Sequence, residues 1–185
     1  LVENNTTSLA SPDPASAPHS NWPLFRGNPL SSGVSTGQLA KSLELSWVFD
    51  VENGGFESTA AIVDGVVFIG DLDGRFFALR LTDGAKLWSY QSEEQIGFVG
   101  SPAVDDGLVY IGDVDGVFHC FDAEKGEQKW SYSTEAEINS SANFYGGNVL
   151  VGSQDATLYC LNAKSGELVW KHAIDDQVRC TPTVV

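Results

Sequence analysis

The chain has 185 residues, 42% of them apolar, enough to bury the core of one large domain or part of one. Its 25 acidic and 10 basic residues give a formal net charge of −15. This charge argues against nucleic-acid binding, which needs a basic surface, but permits a basic protein partner. No apolar run reaches the roughly 18 residues of a membrane-spanning helix, so we expect no transmembrane segment in this chain.

Residues 1–21 are rich in Ser, Pro, Asn and Ala, a composition typical of a flexible tether. We expect the tether to connect the following domain to an export signal, a lipid anchor or another domain upstream. The sequence contains no methionine and begins at Leu1. We therefore expect either that a leader has been removed or that the sequence is a fragment.

Beyond the tether, the chain repeats itself about every 40 residues. Trp47, Trp88, Trp130 and Trp170 follow one another at spacings of 41, 42 and 40 residues. The residues before the last three align as GDLDGRFFALRLTDGAKLW, GDVDGVFHCFDAEKGEQKW and GSQDATLYCLNAKSGELVW. A period near 40 is typical of β-propellers and of helical repeats, and the local pattern must separate the two.

Each repeat reads as four short β-strands rather than as helices. In the unit ending near Trp130 the predicted strands are Gly100–Val104, Leu108–Gly112, Val117–Phe121 and Glu127–Tyr132. Asp-Gly between two such runs is the strongest short hairpin signal. The second strand is apolar on both faces, which predicts a sheet packed between two neighbours. Four antiparallel strands in about 40 residues describe a β-propeller blade.

The pattern predicts an all-β fold, an incomplete β-propeller of four-stranded antiparallel blades. Three full blades are predicted at about 56–92, 98–134 and 138–174, with an isolated outer strand at 43–51 and the start of a further blade at 178–185. Propellers usually have four to eight blades. We therefore expect the remaining blades to come from missing sequence or from another chain.

The stretches GLVYIGDVDGVFHCFDAEKGEQKW and GNVLVGSQDATLYCLNAKSGELVW resemble the pyrroloquinoline-quinone-like (PQQ-like) β-propeller repeat. NWPLFRGNPLSSGVS is similar to the initial segment of such propellers, which assigns residues 22–42 to that segment. The resemblance covers about Trp22 to Val185. One family position departs from the pattern, because its Asp is present as Asp122 but is Asn162 in the next repeat and Arg80 in the first.

The resemblance implies two functions, since dehydrogenases and non-catalytic scaffolds share the repeat. The leading hypothesis is a non-enzymatic protein-interaction scaffold, exported to the bacterial periplasm or cell envelope and similar to the propeller lipoprotein of the outer-membrane β-barrel assembly machinery. The alternative is a fragment of a PQQ-dependent dehydrogenase that oxidises alcohols or sugars with PQQ and Ca²⁺. Such dehydrogenases carry a Cys-Cys pair and Glu, Asn and Asp calcium ligands, none of which this sequence matches. We therefore expect no catalytic, cofactor or metal site here, although the missing blades could hold one.

Two acidic pairs, Asp71/Asp73 and Asp113/Asp115, look like the start of a calcium-binding loop. Such a loop needs a glycine at its sixth position, and both stretches have phenylalanine there. We interpret them as hairpin turns between second and third strands. His119 takes the place of aromatic residues in the other repeats, which predicts an aromatic packing slot rather than a ligand.

The three cysteines are too few for a disulfide framework. Cys120 and Cys160 hold equivalent positions in neighbouring blades, which predicts small buried core residues. Cys180 aligns with Gly100 and Ser140 in the innermost strand. It is the cysteine whose reactivity merits a test.

Two residue sets stand out as candidates for structure and for binding. A Gly precedes each of the last three repeat tryptophans by four residues, and we assign these positions to packing of the last hairpin against a neighbouring blade: Gly84, Trp88, Gly126, Trp130, Gly166 and Trp170. The loops that should share one rim of the propeller are acidic, and we assign this rim to partner binding: Glu93, Glu94, Glu135, Glu137, Asp175, Asp176, Asp71, Asp73, Asp113 and Asp115. The alternative reading is that these acids only keep the protein soluble.

Overall fold

The computed structural model of the protein describes residues 21–35, 37 and 41–185. Residues 1–20 of the predicted tether lie outside this range, as do residues 36 and 38–40. Within the described ranges the chain is all-β apart from one short 3₁₀ turn at Glu93–Gln95.

In this described part of the chain, twelve strands form three separate antiparallel sheets of four strands each, paired in chain order. Blade 1 contains β1 (Ala61–Val63), β2 (Val66–Gly70), β3 (Arg75–Arg80) and β4 (Lys86–Gln91). Blade 2 contains β5 (Ala103–Asp105), β6 (Leu108–Gly112), β7 (Val117–Asp122) and β8 (Gln128–Ser133). Blade 3 contains β9 (Asn143–Tyr145), β10 (Asn148–Ser153), β11 (Thr157–Asn162) and β12 (Leu168–Ala173). The predicted incomplete β-propeller is thereby confirmed.

Turn chemistry explains why each blade begins with a tight hairpin. Asp64 and Gly65 have φ values of 49° and 77°, and Asp106 and Gly107 have 47° and 74°. Positive φ at both central residues is the geometry that matches the twist of two paired strands, and Asp-Gly tolerates it well. The sequence therefore fixes the register of these hairpins locally.

The hydrophobic core lies between the blades. Phe76 of blade 1 contacts Phe121 of blade 2, with ring centroids 5.6 Å apart, and Tyr110 contacts Phe144 of blade 3 at 5.2 Å. Leu24, from the segment before blade 1, is buried in the cluster between blades 2 and 3. Blade 2 is thus covered by neighbours on both faces, which is why both faces of its middle strands are apolar.

Residues 43–51 contain no assigned strand within the described part of the chain. The segment nevertheless packs on blade 1, where the Trp47 indole Nε1–H donates a 2.8 Å hydrogen bond to the Leu81 carbonyl. Trp88 and Trp130 make the same bond to the blade that follows each of them. Residues 43–51 therefore occupy the place that the last strand of a preceding blade would take.

The segment from Trp22 onwards ties the blades together at their first strands. Trp22 pairs with Ile62 of β1 through two backbone hydrogen bonds of 2.6 and 2.9 Å. The Pro23 carbonyl accepts a 2.9 Å bond from Val104 N–H in β5. The Pro29 carbonyl accepts a 2.8 Å bond from a side chain of β9 and a 3.1 Å bond from the start of the next repeat. This segment therefore crosses the first strands of all three blades.

Candidate functional site: the upper rim

The upper rim comprises the loops that join one blade to the next and the turns between second and third strands. Backbone hydrogen bonds connect these two sets of loops. Val114 N–H donates to the Gly97 carbonyl at 3.0 Å, and Phe98 N–H donates to the Asp71 carbonyl at 2.8 Å. The loop between blades 2 and 3 repeats both bonds, at 2.9 and 3.0 Å. The side chains on this rim therefore project from loops whose backbones are hydrogen-bonded to one another.

Most of the acids predicted to form the rim are exposed to solvent. The exposed members are Glu93, Glu94, Asp115, Glu135, Glu137, Asp175 and Asp176, and Asp73 is half-buried. Three cations lie among or beside them in the described residues: Arg75, bound to neighbouring aspartates, Arg179, which donates to the Gln177 side chain, and Lys171, which lines a pocket with Glu135 and Asp155. The exposed surface of this rim is therefore strongly negative.

Asp71 and Asp113 are not exposed, which corrects their assignment to the docking surface. Their residues are 0% and 3% exposed. Asp71 Oδ1 accepts hydrogen bonds from the N–H groups of Asp73 at 3.0 Å and Arg75 at 2.8 Å. Its other oxygen, Oδ2, accepts a 2.6 Å bond from Arg75 Nε. The carboxylate closes the turn from inside, so it is unable to contact a partner.

Asp113 closes the equivalent turn of blade 2 with a histidine in place of the arginine. Its Oδ1 accepts from the N–H groups of Asp115 at 3.1 Å and Val117 at 2.8 Å. Its Oδ2 lies 2.8 Å from His119 Nε2, and His119 Nδ1 lies 3.0 Å from Gln128 Nε2. A neutral imidazole protonated on Nε2 satisfies both contacts, because it donates to Asp113 and accepts from Gln128.

His119 lies among aromatic rings, as its alignment predicts, and stacks on Phe121 with centroids 5.8 Å apart. Its pairing with Asp113 was missed by the sequence analysis. The available signal was the six-residue spacing between them. That spacing places a turn residue at the end of β6 beside an inward-facing residue of β7, which pairs with β6.

Blade 3 closes its turn by a third arrangement. The Tyr159 hydroxyl donates a 2.6 Å hydrogen bond to Asp155 Oδ2, and Ser153 Oγ accepts from Asp155 N–H at 3.2 Å. Burial, together with the bonded carboxylate, raises the pKa of Tyr159, so the hydroxyl stays protonated and keeps donating. In all three blades the polar groups beneath the rim are used to hold the turns, while the exposed carboxylates above them are left for solvent or a partner.

The repeat tryptophans and glycines meet across blades. A Cβ added to Gly126 would lie 2.6 Å from the Trp88 ring, and one added to Gly166 would lie 2.6 Å from the Trp130 ring. Gly84 lies against Trp47 in the same way. Trp170 is 44% exposed. The first three tryptophans therefore pack on the glycine turn of the blade that follows, whereas Trp170 has no such turn among the described residues.

The cysteines differ sharply in exposure, since Cys120 and Cys160 are buried and Cys180 is exposed. Burial raises the pKa of the Cys120 thiol to about 12. At pH 8 the reactive thiolate of such a group is on the order of one part in ten thousand.

We expect iodoacetamide at pH 8 to label Cys180 in the native protein and to leave Cys120 and Cys160 unmodified until the protein is unfolded. Mass spectrometry of tryptic peptides, with and without urea, measures this difference. Modification of Cys120 in the native protein at the rate of Cys180 would contradict the buried environment.

In the described ranges, no group of three or more His, Cys, Asp or Glu side chains is arranged to hold a metal ion. The same part of the chain contains no helix that is both long and apolar enough to cross a membrane.

Residues 36–145 and 135–185 match the family described as outer membrane protein assembly factor BamB. The chain belongs to this family. The resemblance to PQQ-like propeller repeats is confirmed by this match. Among curated proteins, none matches the chain closely enough to count as a relative.

Solved structures share the fold with this family member. Quinohemoprotein alcohol dehydrogenase ADHIIG from Pseudomonas putida HK5 is 24% identical with a TM-score of 0.71, over 82% of this chain and 26% of its own. BamB from Moraxella catarrhalis is 21% identical with a TM-score of 0.62, over 70% of this chain and 40% of its own. The computationally designed Ika4 protein is 17% identical with a TM-score of 0.65, over 75% of this chain and 86% of its own. The chain thus spans about a quarter of the dehydrogenase, and the fold is common to proteins of both functional classes.

Proposed function

We propose that the chain is part of a non-catalytic β-propeller scaffold that binds protein partners through its upper rim, in the periplasm or cell envelope of a bacterium. The observation that carries the proposal is the display of seven exposed carboxylates on a hydrogen-bonded frame. Membership of a family described as an outer membrane assembly factor supports the location.

A rim of this charge favours partners with a basic surface. Clustered like charges raise the rate of association with an oppositely charged protein and disfavour acidic competitors. The attraction between exposed groups is screened over about 8 Å at physiological ionic strength. Binding through this rim should therefore weaken as salt is added.

The second candidate is a fragment of a PQQ-dependent dehydrogenase, favoured by the fold similarity to the alcohol dehydrogenase. This candidate would require PQQ and Ca²⁺. The residues described here do not fit such a site, because the oxygens of the buried Asp71 and Asp113 already accept bonds from turn N–H groups, Arg75 and His119. The dehydrogenase candidate therefore depends on residues outside the described part of the chain.

We expect reversal of Glu93, Glu94, Glu135 and Glu137 to lysine to weaken binding of a basic partner by at least about tenfold at low salt, since each exposed pair contributes about 0.2–1 kcal/mol. Folding should change little, because all four side chains are exposed. The partner is first identified by cross-linking to the full-length protein in its own cells, and its Kd is then measured at two salt concentrations.

The matched control reverses four exposed acids away from the upper rim: Glu44, Asp83, Glu127 and Glu167. It changes the net charge by the same amount and should weaken binding much less. If both variants weaken binding equally, or if neither weakens it, the acids of the upper rim serve only solubility.

The two candidate functions separate in one assay. The full-length protein is incubated with PQQ and Ca²⁺, and alcohol- or sugar-dependent dye reduction is followed. The scaffold proposal expects no turnover above that of PQQ and Ca²⁺ alone. Sustained turnover would replace it with the dehydrogenase.

A further inference from the structure

A cavity of about 530 Å³ opens on the lower rim, which comprises the turns between first and second and between third and fourth strands. The cavity lies between blades 1 and 2. Its floor and walls are apolar and include Val63, Val66, Phe68, Val104 and Ala123. This volume and composition fall within the usual range for small-molecule sites.

Carboxylates surround the mouth of this cavity: Asp64, Asp105, Asp106 and Glu124. All four residues are exposed, and none of the described lining residues is basic. Asp106 is bound by Lys164 at 2.9 Å from outside the lining. Partial burial, followed by the neighbouring Asp106, raises the pKa of Asp105, while Lys164 acts in the opposite direction. Asp64 accepts a 3.2 Å hydrogen bond from the Asn21 side chain, which is neutral, so the four carboxylates and Lys164 leave the mouth with a net negative charge. An apolar floor under a negative mouth is complementary to a cation with an apolar body.

The corresponding space between blades 2 and 3 is filled by larger side chains. Tyr110 stands where blade 1 has Phe68, and Phe144 stands where blade 2 has Val104. The two rings meet at 5.2 Å, and the Tyr110 hydroxyl donates a 3.1 Å bond to the Ala163 carbonyl. The cavity therefore results from two smaller residues at one blade junction and is not a general gap of the repeat.

We propose that the lower-rim cavity between blades 1 and 2 binds an organic cation with a compact apolar body, its apolar part on Phe68 and Val104 and its ammonium group beside Asp105 and Asp64. A free amine and a lysine side chain flanked by an apolar residue share this chemistry. The site lies on the opposite rim from the acids assigned to partner binding. Failure of one proposal therefore leaves the other untouched.

Calorimetric titration of the full-length protein with phenethylamine tests the site, with phenethyl alcohol as the uncharged analogue of the same shape. We expect the amine to bind at least about fivefold more tightly than the alcohol, the range of one or two exposed ion pairs. Amine affinity should fall as the pH falls through the raised pKa of Asp105, because protonation removes the negative charge. A parallel titration uses a short peptide containing Phe-Lys. The probe that binds more tightly shows whether the natural ligand is a free amine or a lysine side chain.

Val104→Phe fills the cavity with the residue that blade 3 already carries at this position, and should abolish binding of either probe. Ala123→Leu is the second filling variant, since blade 1 carries Leu81 there. Asp64→Asn with Asp105→Asn should weaken amine binding about two- to tenfold. The matched control, Asp115→Asn with Glu135→Gln, removes the same charge from the upper rim and should leave the affinity for the amine unchanged.

Thermal unfolding of each variant verifies that it is folded before titration. Absence of binding by both amine and peptide would overturn the proposal. Binding that survives both filling variants in folded protein would overturn it as well, as would equal affinity for amine and alcohol.

Discussion

Replacing Gly126 by alanine is expected to lower the free energy of unfolding by roughly 2–5 kcal/mol, the sum of backbone strain and a steric clash. Gly126 has φ of 71°, a region that costs residues with a Cβ about 1–2 kcal/mol. The added Cβ would lie 2.6 Å from Trp88 Cδ2, so the ring must move. This movement would lengthen or break the 2.9 Å hydrogen bond from Trp88 Nε1–H to the Ala123 carbonyl.

The control is Gly65→Ala, which imposes the same backbone strain without the clash. Gly65 has φ of 77° and no atom within 4 Å of an added Cβ. Its replacement should cost only the strain, about 1–2 kcal/mol. Urea unfolding of both variants gives the two values, and their difference measures the packing of the tryptophan on the glycine turn. Equal losses would mean that Trp88 relaxes freely and that this contact does not join the blades.

The same contact explains why the blades form a rigid series. Trp47 rests on Gly84, Trp88 on Gly126 and Trp130 on Gly166, each bridging one unit to the next. A blade displaced from its neighbour would lose the indole bond and the core contacts together. The upper rim therefore has a regular spacing of charges from blade to blade, and under the proposed function this spacing favours a folded partner over a flexible one.

The strands were predictable because their signals are local. Leu108–Gly112 was predicted as a strand and is β6 with the same bounds, and the predicted Val117–Phe121 is β7 extended by one residue. Asp-Gly turns set the ends of these strands, and residues that are apolar on successive positions indicate burial on both faces. Only residues within one hairpin are needed for these inferences.

Burial of the rim aspartates was not predictable in the same way. Asp71 and Asp115 stand in similar acidic turns, yet Asp71 is 0% exposed and Asp115 is exposed. The difference depends on position within the turn, because the first acid of each pair faces inward to cap N–H groups. The lower-rim cavity was not predictable from the sequence either, because it depends on Phe68 and Val104 facing each other across a blade junction.

The first acid of the blade 2 turn should therefore contribute more to the free energy of unfolding than any exposed rim residue. Asp113→Ala is expected to lower the free energy of unfolding by about 3–5 kcal/mol, because it leaves buried donors without their charged acceptor. The donors are the N–H of Val117 and Nε2 of His119, both 2.8 Å from the carboxylate. Asp115→Ala, one step further along the same turn, should cost far less because its side chain is exposed.

The chain itself offers a rescue that separates lost bonds from a misfolded turn. Blade 3 has Ser153 and Tyr159 where blade 2 has Asp113 and His119, and its Tyr159 donates to Asp155, the counterpart of Asp115. The double variant Asp113→Ser with His119→Tyr should recover most of the stability lost by Asp113→Ser alone, since the new hydroxyl can bond Asp115. Chemical unfolding of the two single variants and the double variant gives the coupling energy. Additive losses would mean that the blade 3 arrangement does not transfer, and that the turn is held by contacts other than this polar pair.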